Sequence, residues 1–110
     1  MKVRKLVEKL EIEVIVGSDL EKEISGGYVG DLLSNVMARA EEGNLWITIQ
    51  GHQNVVAVAL LAGVSAVIVV ENFEVEETAI KRAEEKGINL LRTSMNSYSL
   101  ISELVKMGIE

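Results

Sequence analysis

The chain has 110 residues, no cysteine, no proline and a formal net charge of −6. That length suits one domain with a sizeable core and leaves no room for a second, and the missing cysteines exclude disulfides, thiolate metal sites and a thiol nucleophile. The acidic balance, with basic residues grouped only at Lys2, Arg4, Lys5 and Lys9, argues against nucleic acid as a partner.

Hydrophobic residues make up 48% of the chain but aromatics only 4%, so the core must be aliphatic, which favours a parallel sheet buried on both faces. The longest uncharged apolar run, residues 55 to 70, is too short to span a bilayer and is interrupted at Gly63-Val64-Ser65. No membrane partner is expected. The N-terminus carries charges but no secretion signal, so the expected location is cytoplasmic.

Val3, Leu6, Val7 and Leu10 recur at helical spacing and predict a short amphipathic helix. Glu11 to Val16 alternates and then turns apolar, a strand that ends at Gly17-Ser18. Asp19 to Glu23 reads as a turn, and a short extended piece around Ile24 delivers the segment Ser25-Gly26-Gly27-Tyr28-Val29-Gly30-Asp31. Gly26 and Gly27 permit close backbone approach, and Asp31 stands where an N-cap would open the next helix. Such a cradle of amides at a helix start suits a phosphate or carboxylate; the alternative is a plain turn between strand and helix.

A helix is predicted from Asp31 to Ala40, a strand at Leu45 to Ile49, and a helix from Asn54 to Leu61 that is apolar nearly all round and needs cover on most sides. That need is the basis for expecting a homodimer. Ala66 to Val70 is the most strand-like run, Glu74 to Lys86 an exposed helix stopped by Gly87, and Ile88 to Leu91 a short strand. Asn96 or Ser97 caps a last helix to about Lys106, and the final three residues are expected to fray. From Leu45 onward strand and helix alternate. The fold class is therefore α/β, a three-layer α/β/α arrangement with a mostly parallel central sheet, over a single domain of residues 1–110.

Ligands of open α/β sheets collect at the carboxyl ends of the strands. In this chain those ends carry Gly17-Ser18, Gln50, Gly51, His52, Gln53, Asn54, Glu71-Asn72, Thr93 and Ser94, with the glycine segment joining them if the strand order allows. His52 is the sole histidine, and no spacing ties a serine or carboxylate to it, so a capping role is the simpler reading. No metal-ligand spacing occurs. There is no phosphate loop of the Gly-x-x-x-x-Gly-Lys-Ser/Thr type, and Gly27-x-x-Gly30 is no dinucleotide fingerprint. No cofactor is expected.

Two blocks, Ile24 to Ser34 and Gly43 to Asn54, together resemble the DRTGG domain family. Ser25-Gly26-Gly27 stands where Thr-Gly-Gly would, with Asp19 and Lys22 upstream in place of an adjacent Asp-Arg. The resemblance implies a fold like the N-terminal domain of HPr kinase/phosphorylase, and company with nucleotide-sensing CBS domains and metabolic enzymes. The expected function is a non-catalytic regulatory or ligand-sensing module. Its ligand would be phosphate-bearing, such as an adenine nucleotide, held by Ser25, Gly26, Gly27, Gly30, Asp31, Gln50, His52, Asn54, Thr93 and Ser94. An accessory subunit that docks on a metabolic enzyme without any small ligand is the alternative, and a small hydrolase using His52 stands last.

Overall fold

Val3 and Leu6 lie one turn apart and are both fully buried, which makes the first segment a helix, α1 (Val3–Leu10), pressed onto the sheet. The computed structural model describes every residue from Met1 to Glu110. α1 has no side-chain cap; its leading amides at Val3 and Arg4 donate instead to the carbonyls of Lys22 and Leu20 in the following turn. Arg4 Nε donates to Glu21 Oε1 at 2.6 Å, and Lys2 Nζ stands 3.2 Å from the same carboxylate. The hydrogen bond from Arg4, then that from Lys2, holds the Glu21 carboxyl below its usual range. The clasp is thus intact at neutral pH and is lost only as pH falls through that lowered value.

The strands are β1 (Glu13–Val16), β2 (Gly26–Val29), β3 (Asn44–Thr48), β4 (Ala66–Val69) and β5 (Leu90–Arg92), in the spatial order β1-β5-β4-β3-β2. β2, β3, β4 and β5 run parallel, and β1 closes the other edge antiparallel to β5 with a bulge between Val14 and Val16. Trp46, Val67, Val69 and Leu90 face one layer, made by α2 (Leu33–Arg39), α3 (Gln53–Ala62) and α4 (Glu77–Lys86). Leu45, Ile47, Ile68 and Leu91 face the other, made by α1 and α5 (Ser97–Lys106). This is the expected three-layer, mostly parallel architecture, with period-two alternation sorting each strand's side chains between two cores.

The cover that α3 needs comes from within the chain. α3 lies between α2 and α4, so Val55, Val56, Val58 and Ala59 are buried, and the large side chains it leaves exposed are Leu60 and Leu61 at its end. Helices α3 and α4 stop where expected, on Gly63 and Gly87, both in the left-handed conformation with φ of 72°. Asn96 caps α5 by accepting from the Ser99 amide at 2.8 Å.

Several expectations change. The glycine segment is not a loop: Gly26 to Val29 pairs in parallel with Asn44 to Ile47, so its backbone is extended and bonded rather than offered to an anion. α4 begins at Glu77 rather than at Glu74, because Phe73 to Glu76 is spent on a loop whose Glu76 amide donates to Gly51 O at 2.9 Å. Gly17-Ser18 follows an antiparallel strand and so lies at the opposite end of the sheet. There Ser18 Oγ donates to Ile88 O, and the buried Asn89 joins Asp19 and Ser65 through three hydrogen bonds of 2.7–2.9 Å. The last residues do not fray. Ile109 N donates to Leu104 O at 3.0 Å, its side chain packs on the α1/α5 core, and Met1 and Glu110 line one hollow beside Ser25 and Gly26.

Candidate functional site

Parallel strands β3 and β4 deliver their carboxyl ends to one rim, and each continues into a loop that leads to a helix. After β3 the loop is Ile49-Gln50-Gly51-His52; after β4 it runs from Val70 to Glu76. The two loops meet at Gly51, where an added Cβ would lie 2.1 Å from Glu74 O and 2.7 Å from Val75 Cα. Only glycine permits that approach. Between these loops and the start of α2 lies an open pocket of about 680 Å³, lined by Leu33, Ile49, Gln50, Gly51, His52, Asn54, Phe73, Glu74 and Glu76.

Three of the expected residues, Gln50, His52 and Asn54, therefore meet in one place. His52 is the N-cap of α3, and its Nδ1 accepts from the Asn54 amide at 3.1 Å. An accepting Nδ1 puts the proton of the neutral ring on Nε2, which faces Glu76 Oε1 at 3.9 Å. No serine or threonine hydroxyl hydrogen-bonds to the ring, so the arrangement for His-activated attack is not assembled. Glu74 and Glu76 make the pocket acidic, and no lysine or arginine lines it.

Asp31 is not the cap of α2. That position falls to Leu32, which makes no side-chain cap, while Asp31 Oδ1 reaches across to accept from Thr48 Oγ1 at 2.8 Å and from the Ile49 amide at 3.0 Å. Gln50 Nε2 closes the link by donating to Asp31 O at 2.7 Å. Asp31 thus splints the end of β3, from which Gln50 and His52 project. Asp31→Ala is expected to cost about 1–2 kcal/mol through the lost charge-assisted bonds, and Asp31→Asn, which keeps an acceptor, less than half of that. Chemical denaturation of the two variants checks the order.

The other expected residues stand elsewhere. Ser25 and Gly26 are at the amino end of β2, where Ser25 Oγ donates to Glu42 O at 2.7 Å and Gly26 would press a Cβ to 3.2 Å of Glu110 O. Gly27 lies in the middle of the edge strand. Gly30 sits at the carboxyl end of β2; its carbonyl accepts from the indole of Trp46 at 2.9 Å, and an added Cβ there would meet the Tyr28 ring at 3.1 Å. Thr93 and Ser94 line a second hollow with Glu13, Asn72 and Arg92. The proposed cradle and the β3 turn therefore do not form one site. Parallel pairing sends Ser25-Gly26 and Gln50-Asn54 to opposite ends of the sheet.

Sequence reasoning passed over Phe73, Glu74 and Glu76. The signal was available in Phe73, the sole phenylalanine, placed in a polar loop and 46% exposed. Two consecutive non-glycine residues at the same rim, Glu71 and Asn72, adopt left-handed backbone with φ of 57° and 53°. Their amides donate to Met95 O and Thr93 O, which ties the β4 loop to the β5 loop. No group of three His, Cys, Asp or Glu side chains gathers to hold a metal ion, and no helix is long and apolar enough to cross a membrane.

Fold and pocket define the class: an open, mostly parallel α/β unit with its concavity at the strand carboxyl ends, where such folds take ligands. The DRTGG domain model matches residues 5–107, and the chain belongs to the DRTGG domain family. Among solved structures it is similar to the CBS and DRTGG domains of the regulatory region of Clostridium perfringens pyrophosphatase, complexed with the activator diadenosine tetraphosphate. The TM-score is 0.72, with 16% sequence identity over 94% of this chain and 46% of that one. The chain thus spans about half the length of that structure. No curated protein gives a significant match.

Proposed function

We propose that this chain is a single, non-catalytic regulatory module, working in the cytoplasm, that senses a small molecule at the β3/β4 rim. The observation that carries the reading is the convergence of Gln50, His52, Asn54 and Phe73 on one pocket of about 680 Å³, a size that suits a nucleotide-class ligand. Phe73 offers an aromatic face, Gln50 and Asn54 offer amides, and α3 presents its N-terminus. An adenine nucleotide is the first ligand to test, with support from the activator bound by the pyrophosphatase regulatory region. Glu74 and Glu76 set a condition: a polyphosphate enters with its charge offset by a divalent cation.

The experiment is thermal unfolding against adenine nucleotides, dinucleoside polyphosphates, sugar phosphates and acyl phosphates, each with and without Mg²⁺. A ligand about 100-fold above its Kd adds about 2.7 kcal/mol, roughly 10 °C in Tm for a chain of this length. Phe73→Ala, which removes a half-exposed ring that makes no fold hydrogen bond, is expected to abolish most of that shift while leaving the unliganded Tm in place. A flat response across the panel overturns the reading. It would leave the second one, an accessory subunit of a metabolic enzyme, whose support is that the similar structure belongs to an enzyme's regulatory region.

A further inference from the structure

The two edges of the sheet are built differently. β1 is guarded: Glu11 precedes it, its first residue Glu13 pairs with Arg92 at 2.9 Å, and a bulge breaks its regularity. β2 has none of these protections. It reads Gly26-Gly27-Tyr28-Val29, without charge, proline or bulge, and no strand lies beyond it.

Gly27 has no internal explanation. It is exposed and its φ lies outside the left-handed region, and an added Cβ would meet only Leu45 O at 3.6 Å, an ordinary contact. A strand glycine that the fold itself does not require costs roughly 0.5–1 kcal/mol against alanine and marks a place where another backbone comes close. Two residues on, Val29 projects from the same face and is 46% exposed. Beside them lies a mostly apolar groove between β2 and α5, about 140 Å³, with Ile47 in its floor, Ile101, Leu104 and Val105 along its wall, and Glu110 as its one charged residue.

We propose that β2 is a self-association edge, on which a second copy of this chain adds its own β2 in antiparallel register across a two-fold axis at Tyr28. That register sets Val29 of each copy opposite Gly27 of the other, a projection and a gap on the same face of one strand. Self-complementarity of this kind is what an isologous contact demands. Charge selects the same occupant. Two copies each carrying −6 repel, and like meets like across a two-fold, so the contact must be neutral. From Ile24 to Ala38 the only charged side chain is Asp31, whose carboxylate is engaged by Thr48 and Ile49. On α5, Glu103 is matched by Lys106 Nζ at 3.5 Å, and Glu110, the charged residue of the groove, lies at the Gly26 end of β2, away from the axis at Tyr28. The two sheets would continue as one, closing Val29 and Val105 from water.

Sedimentation velocity over micromolar to submillimolar concentrations tests this, with circular dichroism as the check on folding. The wild-type chain is expected to be dimeric, and Gly27→Val and Val29→Lys to weaken dimerisation about 30-fold or more. Val14→Lys on the guarded β1 edge leaves it unchanged. Should Gly27→Val fail to fold, Val29→Lys, at a half-exposed position, carries the test. A monomeric wild type, or a dimer that persists in the folded β2-edge variants, overturns the proposal. Ligand binding at the rim is read separately, so neither result depends on the other.

Discussion

Gly51→Ala is expected to lower stability by about 3 kcal/mol or more, a fall in Tm of roughly 10–15 °C for a chain of this length. An alanine Cβ would sit 2.1 Å from Glu74 O and 2.9 Å from Glu74 C, and neither is the tip of a flexible side chain that can swing aside. The loop after β4 has to lift away from the loop after β3. In doing so it breaks the bond from the Glu76 amide to Gly51 O and carries Phe73, Glu74 and Glu76 off the pocket. The variant should therefore lose ligand-induced stabilisation together with intrinsic stability. Phe73→Ala should lose only the first. Thermal unfolding with and without ligand separates the two, and a Gly51→Ala protein with unchanged Tm would show that the loops do not meet as described.

Trp46→Ala is the other large effect, about 3–5 kcal/mol. The indole is fully buried between β3 and the α2/α3 layer, and it is the largest side chain in the core. Its removal opens a cavity that the surrounding valines, stiff at χ1, fill poorly. It also removes the donor to Gly30 O, the bond that ties the end of β2 to the core. Trp46→Phe keeps most of the volume and loses the bond, so a cost of about 1–2 kcal/mol is expected. Denaturation followed by circular dichroism measures both, since the chain's sole tryptophan is gone. Equal costs for the two variants would mean that the hydrogen bond, rather than packing, carries the contribution.

What was legible in the sequence was local chemistry. Ala66 to Val69 could only be a buried strand, Gly63 and Gly87 stop their helices by conformation, and Asn96 caps within three residues of itself. His52 likewise bonds two residues on. The misses are all non-local. Gly26-Gly27 has no strand propensity and becomes a strand because Asn44 to Ile47 offers it a ladder. Asp31 occupies the sequence position of a cap, yet its carboxylate is claimed by Thr48, 17 residues away. Nothing in the order of residues announces that β1 runs antiparallel, and that reversal is what removes Gly17-Ser18 from the rim. The pocket was half legible for the same reason: the β3 turn carries its own polar signature, whereas Phe73, Glu74 and Glu76 join it only through the close approach at Gly51.

Met1 and Glu110 share one hollow with Ser25 and Gly26, at the amino ends of the parallel strands. The polypeptide is therefore nearly a closed ring, and the break in the ring lies at the pole opposite the rim pocket. A short flexible linker could join the two ends and new termini be opened between the exposed Lys86 and the partly exposed Gly87, leaving every strand pairing in place. By the same geometry a host protein could carry this unit as a loop on its own surface, entering and leaving at one point with the rim turned outward.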